Sequence, residues 1–347
     1  MLHKVGWRQG MLTDPVRPAW SGDGPRPIRW SAWYPADPAA EAILVGMPPD
    51  APLYLLGELA RDAPPIAATE RFPVVLLSHG TGGTAASLGW LARRLAAAGW
   101  VVLGIDHHGN TASEPYCAEG FLCWWERSRD LTVALDALAA TAPFAGRLRL
   151  DRVVAAGFSL GGHTVLDLAG AVTDMRLFAA WAEGRSSGRG PREFPDLADR
   201  LPTLLATSAT LRASWERQSE SCRDPRVKAV LACAPAPTVR GFTPASLRAI
   251  DLPVALAVGE ADREAPPDEG ARWLHAQLPH SSLELLGAAV GHYALLAEGT
   301  AHGRAVMPEL WADPPGVDRR VVHERVARTA LATFGEVVKL ESPGDAG

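Results

Sequence analysis

From residue 71 onwards, short apolar runs alternate with stretches whose apolar residues recur every three to four positions. The runs are bounded by Pro, Gly or Asp, which is typical of strands buried on both faces. Helical periodicity separates them, as in SLGWLARRLAAAG and SRDLTVALDALAA. We predict strands in PVVLLSHG (73–80), WVVLGID (100–106), DRVVAAGFS (151–159), VKAVLACAP (227–235), PVALAVGE (253–260) and SLELLG (282–287).

This alternation predicts an open α/β fold in which a mostly parallel sheet carries helices on both faces. Two earlier segments, near 5–12 and 28–34, have strand character and are predicted to pair antiparallel. The stretch PPDAPLYLLGELARDAPP (48–65) is predicted to be a loop that holds a short helix. No internal repeat is visible, and we treat residues 1–347 as one domain.

One segment breaks the alternation. Residues 171–224 separate two predicted strands, where a plain crossover needs far fewer residues. Its middle is polar and Gly-rich, and helical pieces such as DMRLFAAW and SATLRASWERQ flank it. Ligands of open α/β sheets bind at the carboxyl ends of the strands. We therefore predict a helical, lid-like insertion; a loose surface excursion is the alternative.

Composition narrows the class of protein. The chain has 347 residues, 47% of them hydrophobic, so it can bury a large core. A net charge of −5 provides no basic field for nucleic acid. No apolar run approaches the ~20 residues that span a bilayer. The N-terminus lacks the apolar core of a signal peptide, so we predict a cytoplasmic protein. Composition carries no signal for the oligomeric state.

The four cysteines form no CxxC pair, so a zinc site has little support. Cys117 and Cys123 lie six positions apart and could close a loop in an oxidising compartment. Free thiols in a reducing cytosol are the simpler interpretation.

The segment AAGFSLGGHT places a serine between two glycines, directly after a predicted strand. Gly157-Phe158-Ser159-Leu160-Gly161 fits G-x-S-x-G, the sharp strand-to-helix turn that exposes a nucleophilic serine. The motif alone is weak, but its position between a strand and a helix strengthens it. The alternative is that Ser159 only caps the helix.

A second Gly-rich turn, HGTGG (79–83), follows the earlier strand. Acyl transfer needs two backbone N–H groups aimed at the developing oxyanion. We predict that Leu160 and Thr81 supply them. The glycines lack the Lys-Ser/Thr of a phosphate-binding loop, which disfavours that alternative. His79 is predicted to be structural or to border the pocket, and not to be the base.

The acid and the base follow from chain order, which in this architecture is Ser, acid, His. Asp262 lies two residues beyond a predicted strand and is our candidate acid, with Glu260 as the second choice. His292 stands in a Gly-flanked loop after the last predicted strand and is our candidate base. His275 falls within a helical pattern, so we do not favour it.

Several aromatic and imidazole side chains are pocket candidates. His107 and His108 are adjacent, so on an extended stretch they point apart and do not suggest one shared metal ion. We predict that one of them, His107, borders the crevice. Trp124 and Trp125 could form an acyl-pocket wall or simply pack beneath the sheet. His163 lies one turn past the candidate nucleophile and is predicted to pack near it.

These motifs, in this order, resemble the α/β-hydrolases of the predicted dienelactone hydrolase group, which are similar to platelet-activating-factor acetylhydrolases. The segments FPVVLLSHGTGG, WLARRLAAAGWVVLGIDHHGN, WWERSRDL, AAGFSLGGHT, VGEADREAPP and VGHYALL carry the resemblance. The resemblance implies ester hydrolysis by a serine triad without a cofactor. True dienelactone hydrolases carry a cysteine where this chain has Ser159, which argues against that chemistry.

The sequence thus predicts a serine esterase that acts on small-molecule esters with short or medium acyl chains, without metal or cofactor. A serine peptidase or amidase on the same fold is the first alternative. A non-catalytic member that binds a ligand is the second, and the intact Ser159, Asp262 and His292 speak against it.

Overall fold

The structure is a computed structural model that describes residues 2–67, 71–183 and 190–339. Its strands are β1 (Val5–Pro18), β2 (Pro25–Pro35), β3 (Ile43–Met47), β4 (Tyr54–Arg61), β5 (Phe72–Ser78), β6 (Val101–Asp106), β7 (Leu148–Phe158), β8 (Val227–Cys233), β9 (Val254–Val258), β10 (Ser281–Leu285) and β11 (Glu298–Gly299). Its helices are α1 (Gly89–Ala97), α2 (Ala118–Leu122), α3 (Glu126–Ala139), α4 (Leu160–Ala169), α5 (Met175–Ala182), α6 (Leu197–Thr207), α7 (Ala209–Glu216), α8 (Pro244–Arg248), α9 (Ala271–Gln277), α10 (Ala301–Val306), α11 (Pro308–Trp311) and α12 (Arg319–Lys339).

The strands form one sheet in the order β10-β9-β8-β7-β5-β6-β2-β1-β4-β11, and β3 pairs with β4. From β10 to β6 all neighbours are parallel. The leading strands β1 and β2 pair antiparallel with each other, and β2 continues antiparallel onto β6. Because the parallel strands run the same way, their carboxyl ends meet at one edge of the sheet. The predicted mostly parallel α/β sheet is confirmed.

The prediction for residues 48–65 was wrong. This stretch contains β4, which pairs with β3, β1 and β11. Its burial alternates at first, with Tyr54 and Leu56 inside and their neighbours less buried. Leu, Glu and Ala dominate the segment and favour helices by propensity. Pairing with three strands overrides that preference, since sheet hydrogen bonds and packing outweigh a few tenths of a kcal/mol per residue.

Helices cover both faces of the parallel strands. The helices α1 and α12 pack together on one face, and α3 and α4 pack together on the other. Strands β6 and β9 are buried along their whole lengths, which explains their near-continuous apolar sequence. In β5, Val74, Val75, Leu76 and Leu77 are fully buried. Each such side chain contributes roughly 1.5–3 kcal/mol through the hydrophobic effect.

The described part of the 171–224 segment forms α5, α6 and α7; residues 184–189 lie outside the described residues. Two of its leucines, Leu197 and Leu211, are buried in a hydrophobic cluster with Trp20, Phe121 and Trp125. The described part is thus packed on the rest of the chain through this cluster. That it serves as a lid stays a prediction.

Candidate active site

Ser159 lies at the turn between β7 and α4 with φ 56° and ψ −118°. A non-glycine residue in this region costs about 1–3 kcal/mol and persists only where its surroundings hold it. The Ser159 amide donates to the Cys233 carbonyl at 2.9 Å. The Ser159 carbonyl accepts from Gly162 at 2.8 Å and from Ala236 at 3.1 Å. These bonds hold the strained serine at the carboxyl edge of the sheet.

The flanking glycines are required by close backbone contacts. A Cβ at Gly157 would lie 2.0 Å from the Gly161 carbonyl oxygen. A Cβ at Gly161 would lie 2.0 Å from the carbonyl oxygen of Ser78 at the end of β5. Real Cβ contacts essentially never fall below 3.0 Å. The turn therefore accommodates a side chain at neither Gly157 nor Gly161 unless its backbone shifts.

Asp262 and His292 meet in the loops that follow β9 and β10. The His292 Nδ1 atom lies 2.7 Å from Asp262 Oδ2. The other carboxylate oxygen, Oδ1, accepts backbone N–H groups from Glu264 at 3.0 Å and Ala265 at 2.7 Å. The Asp262 side chain is fully buried. With Nδ1 engaged by the carboxylate, the His292 ring has its Nε2 atom left for a reacting group.

Four other carboxylates and histidines near Asp262 or after it in the chain are engaged elsewhere, among them the second-choice acid Glu260 and the disfavoured His275. Asp268 pairs with Arg272 at 3.0 Å, and Glu260 lies 3.9 Å from the same guanidinium. His275 bonds the Ser281 hydroxyl at 2.9 Å. His323 stacks on a tryptophan and bonds a backbone carbonyl. Among these acids and histidines, Asp262 and His292 are the two that bond each other.

The His292 ring also lies next to the serine turn. Its centroid is 4.6 Å from that of Phe158, the residue before Ser159. Ser159 and His292 are both nearly buried, with 8% and 7% of their surface exposed. The structure therefore places Ser159, His292 and Asp262 at one edge of the sheet, and that they act as a triad stays a prediction.

The segment His79–Gly83, which we call the oxyanion loop after the role that the sequence predicts for it, follows β5 beside this turn. The Gly82 amide donates to Asn110 Oδ1 at 2.7 Å, and the Gly83 amide donates to the Gly80 carbonyl at 3.2 Å. Within the described ranges, the amides of Thr81 and Leu160 donate to no protein acceptor. These are the two amides that the sequence predicts as oxyanion donors.

Two imidazoles predicted to border the pocket lie beneath the loop instead. His79 and His107 are both fully buried. The His79 Nδ1 atom donates to the Gly80 carbonyl at 2.6 Å, and its Nε2 accepts the His107 amide at 3.1 Å. Burial lowers the pKa of His107 to about 3 and that of His79 well below its ordinary value. Both rings are therefore neutral and do not reach the surface. The His79 ring bonds the backbone of the loop, whereas the His107 ring bonds the side chains of Ser78 and Asp130.

The remaining pocket candidates, His163, Trp124 and Trp125, do not all lie in one place. His163 is fully buried and stacks on Phe242 with centroids 4.2 Å apart. Trp124 meets the edge of the His163 ring at 5.6 Å and keeps 7% of its surface exposed. Trp125 turns toward the 171–224 segment, where its indole N–H bonds Ser214 at 3.0 Å. Trp124 and His163 thus contact each other, and His163 lies in the first turn of α4 that follows Ser159.

Sequence reasoning missed two side chains beside the oxyanion loop. The Tyr116 hydroxyl donates to the Gly82 carbonyl at 2.8 Å. Glu193 from the 171–224 segment is so close that a Cβ at Gly82 would lie 3.1 Å from its carboxylate. No motif in the sequence connects these residues to the loop, because they come from distant segments that meet only in the fold.

A buried charge network beneath the loop was missed as well. Arg17 and Arg26 of the leading hairpin bond Asp130 of α3 at 2.7 and 2.8 Å. Arg17 also bonds Glu126 at 2.9 Å. Asp130 in turn accepts from His107 Nδ1 at 3.1 Å. The segment WWERSRDL was a motif of the resemblance, but only the fold shows that its carboxylates pair with the N-terminal hairpin.

Three further findings concern the described residues. The four cysteines are free, including Cys117 and Cys123. Among residues 2–67, 71–183 and 190–339, no group of three metal-ligating side chains occurs. No helix in these ranges has both the length and the apolar character needed to cross a membrane.

Comparisons with known proteins give the family and the fold of the chain. The family profile described as serine aminopeptidase S33 matches residues 69–290, nearly two thirds of the chain. The chain belongs to the S33 family. This S33-family member is thus a serine hydrolase by family and an α/β-hydrolase by fold. The profile covers the oxyanion loop, the serine turn and Asp262, and ends two residues before His292.

Curated relatives of this S33-family protein are cutinases. It is 36% identical over 107 residues to Cutinase 2 of Thermobifida cellulosilytica, which is 30% of this chain and 37% of the cutinase. It is equally identical over 107 residues to the cutinase of Thermobifida fusca, 30% of that protein. The matches therefore span about a third of the length of these relatives.

Solved structures share the fold. The ferulic acid esterase of Streptomyces cinnamoneus superposes with a TM-score of 0.65 at 18% identity, over 98% of this chain and 92% of that one. A puromycin-hydrolyzing peptidase of Mycobacterium tuberculosis gives a TM-score of 0.52 at 14% identity, over 96% of this chain and 40% of that one. At these identities the likeness concerns the fold.

Proposed function

We propose that this protein is a carboxylic ester hydrolase that forms an acyl-enzyme on Ser159. One observation carries the proposal: a strained, nearly buried serine stands at the edge of the sheet where the His292–Asp262 pair is assembled. Strain at a single serine, beside an imidazole oriented by a carboxylate, is the arrangement by which hydrolases activate a hydroxyl nucleophile.

In the proposed reaction, His292 Nε2 takes the Ser159 hydroxyl proton while Oγ attacks the ester carbonyl carbon. The carbonyl electron pair moves to oxygen, where the Thr81 and Leu160 amides stabilise the negative charge. Collapse of this intermediate expels the alcohol, which takes the proton from His292. Water then attacks the acyl-enzyme by the same route. Asp262 keeps the ring in the tautomer with its proton on Nδ1 and stabilises the imidazolium.

Ester substrates are favoured by the relatives. Cutinases are the curated relatives, and a ferulic acid esterase shares the fold over nearly the whole chain. We further propose short or medium acyl chains, together with the finer resemblance to predicted dienelactone hydrolases and platelet-activating-factor acetylhydrolases. The inserted helices α5 to α7, packed beside the serine edge, are the proposed determinant of substrate range, and we propose that they act as a lid.

Amide hydrolysis is the second candidate. The family is described as serine aminopeptidase, and a puromycin-hydrolyzing peptidase shares the fold. The same triad cleaves amides when the leaving amine is protonated by the histidine. A substrate panel therefore has to contain both bond types.

The test is hydrolysis of p-nitrophenyl acetate, butyrate, octanoate and palmitate, together with aminoacyl p-nitroanilides. Ser159→Ala is measured in parallel, with Ser282→Ala as a control, because Ser282 is exposed on β10. We expect ester turnover that declines toward palmitate, is lost in Ser159→Ala and is unchanged in Ser282→Ala. Loss of the nucleophile in such a unit costs on the order of 10⁶ in kcat.

Faster turnover of the anilides than of the esters would favour the amidase. Equal rates for the wild type and Ser159→Ala, with no labelling of Ser159 by a fluorophosphonate, would refute catalysis at this serine and favour a ligand-binding protein.

A further inference from the structure

Arg127, in the first turn of α3, is a charged side chain buried beneath the oxyanion loop with 1% of its surface exposed. Its Nη2 donates to the His79 carbonyl and, at 3.3 Å, to the Ser78 hydroxyl. Its Nε and Nη1 groups have no hydrogen-bond partner among the described residues. Asp130 bonds other side chains. The hydrogen bonds that hold this guanidinium are therefore those to Ser78 at the end of β5 and to His79 of the oxyanion loop.

Burial of such a charge is costly. An ion taken from water into the protein interior carries a penalty of roughly several kcal/mol, and an apolar side chain of similar size would avoid it. Burial lowers the pKa of Arg127, while Asp130 opposes this shift. An arginine nevertheless stays protonated near neutral pH. The contacts made by Nη2 are thus donated by a full positive charge.

Those contacts act on the backbone that carries an oxyanion donor. The His79 carbonyl belongs to the peptide that joins His79 to Gly80. The next carbonyl, of Gly80, accepts from His79 Nδ1 at 2.6 Å, and its peptide contains the Thr81 amide. Because a peptide unit is planar, holding its carbonyl also sets the direction of its N–H group. Arg127 and the His79 ring therefore hold two successive peptides of the loop.

The donors and acceptors beneath the loop are mutually consistent. His107 is neutral, since burial lowers its pKa to about 3, and its Nδ1 faces Asp130 at 3.1 Å. Its Nε2 then accepts from the Ser78 hydroxyl at 2.9 Å. The Ser78 oxygen is left to accept from Arg127. From Arg127 through Ser78 and His107 to Asp130 each group donates to the next, and Arg127 also donates in the other direction to the His79 carbonyl.

The His79 carbonyl also lies against the serine turn. A Cβ at Gly161 would lie 2.9 Å from the His79 carbonyl oxygen, which accepts from Arg127. A shift of this carbonyl would therefore move the loop relative to the turn that carries Leu160. The two predicted oxyanion amides are set relative to each other at this point.

We propose that Arg127 is a positioning residue that holds the Thr81 amide in register with the Leu160 amide. This rests on the proposed function, because the amides matter only if an oxyanion forms. Arg127 contacts neither the nucleophile nor the base. Its removal should weaken stabilisation of the tetrahedral intermediate and leave binding of the ground-state ester largely unchanged.

The test compares Arg127→Met and Arg127→Lys with Arg129→Met. Arg129 lies two residues further on the same helix, where it pairs with Glu220 at the surface. For each variant, kcat and KM are measured on the best p-nitrophenyl ester. Inhibition by an alkyl boronic acid, whose serine adduct is tetrahedral and anionic, and the Tm are measured as well.

We expect Arg127→Met to lower kcat by about 10- to 100-fold, somewhat less than the loss of an oxyanion donor itself. Boronic acid binding should weaken by a similar factor, and KM should stay near the wild-type value. Arg127→Lys keeps the charge but has a shorter reach, so its kcat should lie between that of the wild type and that of Arg127→Met. Arg129→Met should behave as the wild type.

A folded Arg127→Met with wild-type kcat and boronic acid affinity would overturn the inference. A lower Tm and a higher KM without weaker boronic acid binding would also overturn it, because that pattern indicates a merely structural residue. If Arg127→Met does not fold, Arg127→Lys decides by the same criteria. A wild type without Ser159-dependent turnover would refute the proposed function, and the inference would fall with it.

Discussion

The contact of Gly161 with the end of β5 leads to a quantitative prediction. A Cβ at this position would lie 2.0 Å from the Ser78 carbonyl oxygen, whereas ordinary contacts begin near 3.4 Å. Gly161→Ala must therefore separate the serine turn from β5 by 1.4 Å, the difference of these two distances. Gly161 lies in the first turn of α4, and the atoms nearest to its added Cβ are backbone atoms of Ser78 and His79, so no side-chain rotation can relieve the contact.

Such a displacement acts on catalysis and on stability. A misplacement of about 1 Å can cost ~10²-fold in rate, because the reacting groups lose their alignment. Overpacking of a rigid core costs typically ~1–3 kcal/mol of the free energy of unfolding. We therefore expect Gly161→Ala to lower kcat/KM by at least ~10²-fold while the chain still folds.

The assay is ester hydrolysis with a thermal melt of each variant, and Gly335→Ala is the control. Gly335 lies within α12, where an added Cβ meets no described atom within 4 Å. That substitution should leave turnover unchanged and stabilise the helix by roughly 0.5–1 kcal/mol. Wild-type kcat/KM and Tm in Gly161→Ala would refute the reasoning, since the turn would then tolerate a side chain against β5.

Two further predictions concern the site and its surroundings. Asp262→Asn should keep the fold but lower kcat by about 10⁴-fold, because the amide favours the wrong tautomer of His292. A variant with the wild-type kcat would show that Asp262 is not part of the triad. Burial lowers the pKa of His163 to about 3, so between that value and ~6.5 the unfolded chain binds the extra proton. From pH 7 to pH 5 the free energy of unfolding of the wild type should therefore fall by roughly 1–2 kcal/mol relative to His163→Phe. Urea unfolding at both pH values checks this, and a constant difference would contradict it.

The predictions that depended on local pattern were confirmed where the pattern and the fold ask for the same thing. The apolar runs became the parallel strands because a strand buried on both faces must be apolar at every position. The prediction of a loop with a short helix around Tyr54 was wrong because the local composition favours a helix. The strand forms there by pairing with residues 5–18, 43–47 and 298–299. Local propensity contains no information about such distant partners.

The candidate site divides in the same way. The sequence alone determined Ser159, Asp262 and His292 as candidates, since a turn after a strand is a local feature and its chain order is readable. The motif also indicated that Gly157 and Gly161 are required, because only glycine lets backbone approach backbone so closely. Only the tertiary structure decided that His79 and His107 lie beneath the oxyanion loop, and that Arg127 and the hairpin arginines share one buried network. Those contacts join segments up to 113 positions apart, and hydrogen bonds over such separations leave no periodic trace in a sequence.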